Sequence, residues 1–126
     1  MEQFDVVVIG AGRAGIATSA HLRKQGIDHV VLERSRIAER WRSERWDSLV
    51  ANGPAWHDRF PGMEFACDAD AFPDKESVAR YFEDYANMID APVRTGVTVE
   101  RVRPHATQPG CLVETSDGTI NARYVV

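Results

Sequence analysis

Three glycines lie between a run of β-branched residues and a stretch with the composition of a helix. Residues 4–9 predict a strand buried on both faces, and residues 14–25 predict a helix. Between them, Gly10, Gly12 and Gly15 form the pattern G-x-G-x-x-G. The first permits a tight turn, the second lets the backbone approach a pyrophosphate, and the third lets the helix pack closely on the strand. Because free N–H groups at a helix N-terminus favour phosphates, the segment predicts a dinucleotide-binding turn.

An acidic residue follows the second predicted strand, residues 29–32. Glu33 lies eighteen positions after Gly15, where a carboxylate accepts hydrogen bonds from ribose hydroxyls. Its charge repels a 2′-phosphate, so NADP is disfavoured at this turn. The glycines alone do not separate FAD from NAD. The Glu33-Arg34 pair, common in FAD-binding proteins of this architecture, and the long segment that follows favour FAD.

Residues 34–72 form a long excursion from the predicted sheet. Residues 34–59 contain six arginines and three tryptophans, and residues 52–54 and 60–62 are turn signals. The segment is too aromatic for a solvated linker. Long loops of this kind in compact domains are usually functional, which favours a role in ligand binding.

The rest of the chain predicts a helix followed by strands. Asp74 is placed as an N-cap, and apolar residues then recur at helical spacing at Val78, Phe82, Tyr85 and Ile89. Residues 93–102, 111–115 and 119–126 predict strands. The Asp117-Gly118 pair predicts a hairpin between the last two.

Composition excludes several classes of partner. The net charge is −4 and no basic run occurs, so neither nucleic acid nor an anionic membrane is an implied partner. The apolar run at residues 6–9 is too short to cross a bilayer, and Glu2 and Asp5 stand where a signal peptide is basic. The cytoplasm is therefore the expected compartment.

Neither cysteine nor acidic spacing indicates a metal. Cys67 and Cys111 form no C-x-x-C pair and are expected to be free thiols. Asp68, Asp70 and Asp74 are loosely spaced like metal ligands, but a solvated acidic loop that ends in an N-cap explains them better. No metal site is predicted.

The sequence resembles the class B flavoprotein monooxygenases, and most strongly a bacterial group of flavoprotein oxidoreductases among them. The class includes flavin-containing, Baeyer–Villiger and plant auxin-biosynthetic monooxygenases. The resemblance covers nearly the whole chain and rests on three segments: DVVVIGAGRAGIATSAHLRKQGIDHVVLERSRIAERWRSERWDSL, FPDKESVARYFEDYA and PVRTGVTVERV.

This resemblance implies a set of FAD contacts. In the family the glycine turn holds the pyrophosphate, the acid holds the ribose, a tryptophan packs beside the cofactor, and a later strand meets the adenine. The residues at matching positions are Gly10, Gly12, Arg13, Ala14, Gly15, Glu33, Arg34, Trp41 and Val99. Many relatives have a glycine pair just before the tryptophan. Here Glu39-Arg40 replace it, which puts the local backbone path in question.

The resemblance also implies one catalytic candidate. Residues 48–52 match an S-L-x-x-N stretch whose asparagine lies near the flavin, so Asn52 is that candidate. Asn52 before a glycine is equally a good turn residue. The tryptophans of the excursion could simply cover apolar surface. His57 could be read as a catalytic base, but nothing in the sequence orients it.

The fold class implied is α/β, a Rossmann-like FAD-binding domain of the glutathione-reductase type, with a β-meander over residues 97–126. Relatives continue into an A-T-G segment that closes the FAD site and then into a second G-x-G-x-x-G for NADPH. Residues 1–126 are therefore expected to be the N-terminal portion of such a domain, with an open sheet edge and an unfilled core face. Self-association or a second chain could complete it.

The function implied is the FAD-binding part of a flavin-dependent oxidoreductase. The parent reaction is NAD(P)H- and O2-dependent monooxygenation of a small organic substrate, and the fragment alone is expected to be inactive. One alternative is a regulatory module that binds NAD or another nucleotide without catalysis. Such a module should continue promptly into further βα units after its second strand. Another alternative is a non-binding remnant that folds only by association.

Overall fold

The computed structural model describes residues 1–43, 49–51 and 53–126. Within them, six strands form one sheet in the order β3-β2-β1-β6-β5-β4. The strands are β1 (Gln3–Ile9), β2 (His29–Glu33), β3 (Val93–Thr95), β4 (Val99–Pro104), β5 (Cys111–Thr115) and β6 (Gly118–Val125). The helices are α1 (Arg13–Lys24), α2 (Glu39–Ser43), α3 (Ala55–Asp58) and α4 (Lys75–Met88). None of these helices is long and apolar enough to cross a membrane.

Strand β1 runs through the centre of the molecule and is parallel to both β2 and β6. Val6 and Val8 belong to the apolar cluster beneath α1, while Val7 packs with Val113 and Ile120 of the antiparallel strands. All three β1 valines are buried. A strand covered on both faces needs an unbroken apolar run, so the sequence-based prediction for residues 4–9 is confirmed.

The predicted single strand over residues 93–102 is wrong. The chain forms β3, which is parallel to β2, and then β4, which is antiparallel to β5 at the opposite edge of the sheet. The break falls at Gly96, whose φ of +70° lies in the left-handed region. Val97 then donates its N–H to the carbonyl of Glu33 at 3.0 Å. The segment therefore crosses the end of β2 instead of extending it.

The meander β4-β5-β6 confirms the fold class expected for residues 97–126. The hairpin between β5 and β6 is also confirmed, although its two loop residues are Ser116 and Asp117. Thr115 closes the turn, because its hydroxyl donates to the Gly118 carbonyl at 2.7 Å and accepts the Asp117 N–H at 3.0 Å.

Strand β6 belongs to two parts of the sheet. Residues 118–122 pair with β5, and residues 121–125 pair with β1. Among the described residues, the end of β6 does not pair with β5, and Tyr124 is 65% exposed.

Helix α4 anchors the excursion to the rest of the fold. Asp74 is its N-cap and accepts the Ser77 N–H at 2.8 Å, as predicted. The inner face of the helix carries Tyr81, Phe82 and Tyr85. The buried ring of Phe60 packs against all three, with ring centroids 5.6, 5.3 and 4.6 Å apart, respectively. The excursion is therefore packed structure and not a solvated linker.

Helix α1 ends in a motif that requires a left-handed residue. Gly26, with φ of +69°, donates its N–H to the Arg23 carbonyl at 3.1 Å, and Ile27 donates to the Leu22 carbonyl at 2.9 Å. No atom lies within 4 Å of the place that a Cβ would take at Gly26. The penalty for a side chain there is therefore purely conformational.

We expect Gly26→Ala to lower the free energy of unfolding by about 1 kcal/mol, the typical penalty for a left-handed non-glycine residue. Urea unfolding followed by circular dichroism measures it. Lys24→Ala, in the last turn of the same helix, is the control and should change stability by less than about 0.5 kcal/mol. Equal losses in the two variants would contradict the conformational explanation.

Candidate dinucleotide site

A cleft of about 660 Å³ opens beside the N-terminus of α1 and the ends of β1 and β2. Its volume lies within the range of ordinary ligand sites. Three separate stretches of chain meet there: the glycine turn, the segment after β2, and the start of β4. All nine residues that the sequence assigns to the cofactor line it: Gly10, Gly12, Arg13, Ala14, Gly15, Glu33, Arg34, Trp41 and Val99.

The glycine turn is held by close approach of strand and helix. Gly10 has φ of +97° and donates its N–H to the Leu32 carbonyl at 2.8 Å. A Cβ at Gly15 would overlap the Gly10 carbonyl oxygen and lie 2.9 Å from its carbonyl carbon. Both atoms belong to the backbone and cannot rotate away. The third glycine of the pattern is therefore required by the fold itself.

Among the described residues, no contact within the protein requires a glycine at position 12. Gly12 is the N-cap of α1, it lines the cleft, and no described atom lies within 4 Å of the place that a Cβ would take there. The first bond within the helix runs from the Ile16 N–H to the Gly12 carbonyl, so the preceding N–H groups of the first turn are orphan donors. Those donors and the open space beside them suit an anionic group in the cleft.

Backbone donors hold the carboxylate of Glu33 in place. One oxygen, Oε1, accepts the Ala11 N–H at 2.9 Å, and Oε2 accepts the Ser35 N–H at 2.7 Å. Each carboxylate oxygen has two lone-pair sites, so each keeps one for a further donor. The carboxylate is thereby oriented, before any ligand arrives, to accept two hydroxyl groups.

The start of the excursion is tied to the glycine turn. Ala38, with φ of +59°, donates its N–H to the Ala11 carbonyl at 3.0 Å. The residues that replace the glycine pair then form the first turn of α2. The carboxylate of Glu39 accepts from both ends of the Arg36 fork, at 2.7 and 3.0 Å, and from Ser43. Hydrogen bonds from Arg36 and Ser43 lower the pKa of Glu39 to about 2.

Trp41 and Val99 both line the cleft. The Trp41 ring meets Phe82 of α4 edge-on, with centroids 6.5 Å apart, so it packs against the core as well as lining the cleft. Val99 is accompanied by Val97 and Thr98, which the sequence analysis missed. They were missed because the break at Gly96 was read as part of one continuous strand.

The catalytic candidate Asn52 lies outside the described residues. Nearby, the expectation that nothing orients His57 is wrong, because its Nδ1 lies 2.9 Å from Oδ1 of Asp58. Asp58 is buried, and its Oδ2 accepts the Gly53 N–H at 3.0 Å. The missed signal was the adjacent acid in the sequence. Of this pair, His57 lines a second pocket, separate from the dinucleotide cleft.

Cysteines and metal-binding groups add no further chemistry. Cys67 is exposed and Cys111 half-buried, and both are free thiols, as predicted. Within residues 1–43, 49–51 and 53–126, no group of three or more His, Cys, Asp or Glu side chains could hold a metal ion.

The sequence matches a known family along nearly its whole length. Residues 7–126 match the family described as pyridine nucleotide-disulphide oxidoreductase. The chain belongs to this family.

Individual relatives are named as oxidoreductases and monooxygenases. A CzcO-like oxidoreductase from Geobacillus kaustophilus is 38% identical over 75% of this chain and 27% of its own length. The indole-3-pyruvate monooxygenase YUCCA6 from Arabidopsis thaliana is 38% identical over 75% of this chain and 23% of its own. The chain therefore spans about a quarter of the length of these curated relatives.

A solved structure gives the same result. The flavin-containing monooxygenase from Stenotrophomonas maltophilia superposes with a TM-score of 0.86 at 29% identity, over 99% of this chain and 38% of that one. The expected resemblance to flavoprotein monooxygenases is confirmed, as is the Rossmann-like class. The chain is a member of the flavin-dependent oxidoreductase and monooxygenase family.

Proposed function

We propose that the cleft binds FAD through its ADP half, and that the chain serves a flavin-dependent oxidoreductase. The reaction proposed for the whole enzyme is NAD(P)H- and O2-dependent monooxygenation of a small organic substrate. The observation that carries the proposal is the meeting of nine sequence-assigned residues, from three separate stretches of chain, around one cleft.

Each part of the cleft fits one part of the cofactor. The orphan N–H groups at the start of α1 suit the pyrophosphate, with Gly12 leaving room for it. The remaining lone pairs of Glu33 suit the two ribose hydroxyls. Val99 lines the cleft and would meet the adenine, and Trp41 lines it and would pack beside the cofactor.

The chain positions the cofactor. FAD, when bound, supplies the redox chemistry. The Glu33 carboxylate disfavours a 2′-phosphate here, so we assign NADPH to a different site of the enzyme. We expect these 126 residues alone to bind the cofactor without completing the reaction.

Titration of the purified chain with FAD tests the proposal. Binding should quench the flavin fluorescence and shift the visible flavin absorption bands. NAD should compete weakly, because it shares the ADP half alone. A chain that takes up NAD but not FAD would support a regulatory nucleotide-binding module instead, and a chain that binds neither would refute both.

We expect Glu33→Gln to weaken FAD binding about ten- to a hundredfold, since hydrogen bonds to a charged acceptor contribute about 1.5–3 kcal/mol. The glutamine amide would also turn a donor towards the N–H of Ala11 or of Ser35. Fluorescence titration gives both dissociation constants. Glu39→Gln removes a carboxylate from the same cleft and should change the affinity less than threefold. Equal losses of FAD affinity in the two variants would show that only the net charge of the cleft matters for binding.

A further inference from the structure

A second pocket, of about 280 Å³, lies in the excursion. Its lining consists of Trp56, His57, Arg59, Phe60, Pro61 and Gly62, and among described residues it shares none with the dinucleotide cleft. Trp56 is 56% exposed. Its ring meets the His57 ring at an interplanar angle of 88°, with the two centroids 5.7 Å apart. An exposed indole beside a cavity offers a surface on which another ring can pack.

The imidazole of His57 is held by a fixed carboxylate. Nδ1 lies 2.9 Å from Oδ1 of Asp58, whose other oxygen accepts the Gly53 N–H at 3.0 Å. A Cβ at Gly53 would lie 2.8 Å from Asp58 Oδ1 and 2.9 Å from His57 Nδ1. The glycine therefore permits this close packing of backbone, carboxylate and ring.

The protonation of this pair follows from its donors and acceptors. Burial raises the pKa of Asp58, but hydrogen bonds from His57 and Gly53 and the charge of Arg13 lower it below its usual value overall. Asp58 is therefore ionised at neutral pH and can only accept. Nδ1 must carry the proton in neutral His57, and Nε2 then presents a lone pair.

The charges at the rim of the pocket are largely balanced. The Arg59 guanidinium lies 3.3 Å from the Glu64 carboxylate, and both side chains are exposed. An anionic ligand would compete with Glu64 for Arg59. The rim of the pocket thus offers an aromatic surface and a hydrogen-bond acceptor, with the charge of Arg59 already paired.

We propose that this pocket binds a small neutral aromatic molecule that carries an O–H or N–H donor, of which phenol is the simplest. The ring of the ligand packs against Trp56, and its donor bonds to Nε2 of His57. Asp58 is a positioning residue, because it acts only by orienting His57. The inference goes beyond the proposed function, since it needs no FAD.

Nitrogen-15 NMR of histidine-labelled protein tests the orientation without any mutation. In its neutral form, His57 should carry its proton on Nδ1. His105 provides an internal control with the opposite geometry, because its Nδ1 accepts the Thr107 N–H at 3.2 Å. His105 should show the Nε2–H form. The same Nε2–H form at His57 would overturn the proposal.

Binding of phenol and fluorobenzene to the flavin-free chain tests the ligand class. The two molecules have similar shapes, but only phenol donates, so it should bind about two- to tenfold more tightly, as expected for one hydrogen bond. Chemical-shift changes at His57 and Trp56 report the dissociation constants. Equal affinities, or tighter binding of benzoate than of phenol, would overturn the proposal.

Two variants and one control complete the test. His57→Phe should remove the preference for phenol, and Trp56→Ala should weaken both ligands. His105→Phe, on the loop between β4 and β5, should change neither. A preference that survives His57→Phe would refute the assignment of the acceptor. FAD titration of the same samples keeps this result separate from that of the proposed function.

Discussion

Gly15→Ala is expected to lower the free energy of unfolding by about 3 kcal/mol or more, and to abolish FAD binding. The added methyl group would overlap the carbonyl of Gly10, which is backbone and sits in a turn with φ of +97°. Strand and helix would have to separate to admit it. That movement would also displace the N–H groups of the first turn of α1, which are the proposed pyrophosphate donors.

Gly12→Ala is the matched variant, three residues earlier in the same turn. The φ of −89° at Gly12 suits alanine, and the added methyl group meets no atom of the described residues. Stability should fall by at most about 1 kcal/mol, the difference between glycine and alanine as an N-cap. FAD binding should nevertheless be lost, because the methyl group would stand in the cleft.

Urea unfolding and FAD titration of both variants measure the two effects separately. The expected pattern is loss of stability and binding in the Gly15 variant, and loss of binding alone in the Gly12 variant. A Gly15 variant as stable as the parent would contradict the packing described for the turn. A Gly12 variant that binds FAD normally would contradict the placement of the pyrophosphate.

Tyr81→Phe is expected to destabilise the chain by about 2–4 kcal/mol. The buried hydroxyl accepts the Phe60 N–H at 2.6 Å and donates to the Met63 carbonyl at 2.6 Å. Its removal leaves a buried donor and an acceptor without this partner. The burial that makes the loss large also raises the pKa of Tyr81. The loop at residues 60–63 would lose its attachment to α4.

Tyr85→Phe, one turn along the same helix, is the control for that loss. Among the described residues, its hydroxyl makes one hydrogen bond, to the Pro61 carbonyl at 2.9 Å. We therefore expect the free energy of unfolding to fall by about 1 kcal/mol. Both values come from denaturant unfolding monitored by tryptophan fluorescence. Similar losses of stability in the two variants would show that the second hydrogen bond of Tyr81 adds nothing to the attachment of the loop.

Signals contained within a few residues were sufficient for much of the fold. The glycine spacing and the N-cap at Asp74 each predict a local conformation, and the structure has both. The same holds for Glu33, since it ends β2 and β2 lies beside the glycine turn in any βαβ unit. The core of the candidate site could therefore be predicted from the sequence.

Signals that depend on distant partners were not sufficient. Residues 93–102 have the composition of one strand, and only their partners divide them: β2 for the first part and β5 for the second. The contribution of Ala38 to the cleft likewise depends on a hydrogen bond to Ala11, twenty-seven positions earlier. No local pattern encodes such a choice.

The amino-acid sequence by itself determined the dinucleotide turn, because Gly10 answers to a positive φ and Gly15 to the close approach of one strand and one helix. Only the tertiary structure decided what surrounds that turn. It divided the later strands at Gly96, brought Val97 and Thr98 to the cleft, and fixed His57 against Asp58 in a second pocket. Those arrangements follow from long-range pairing and packing, whose free energy is gained only when distant segments meet.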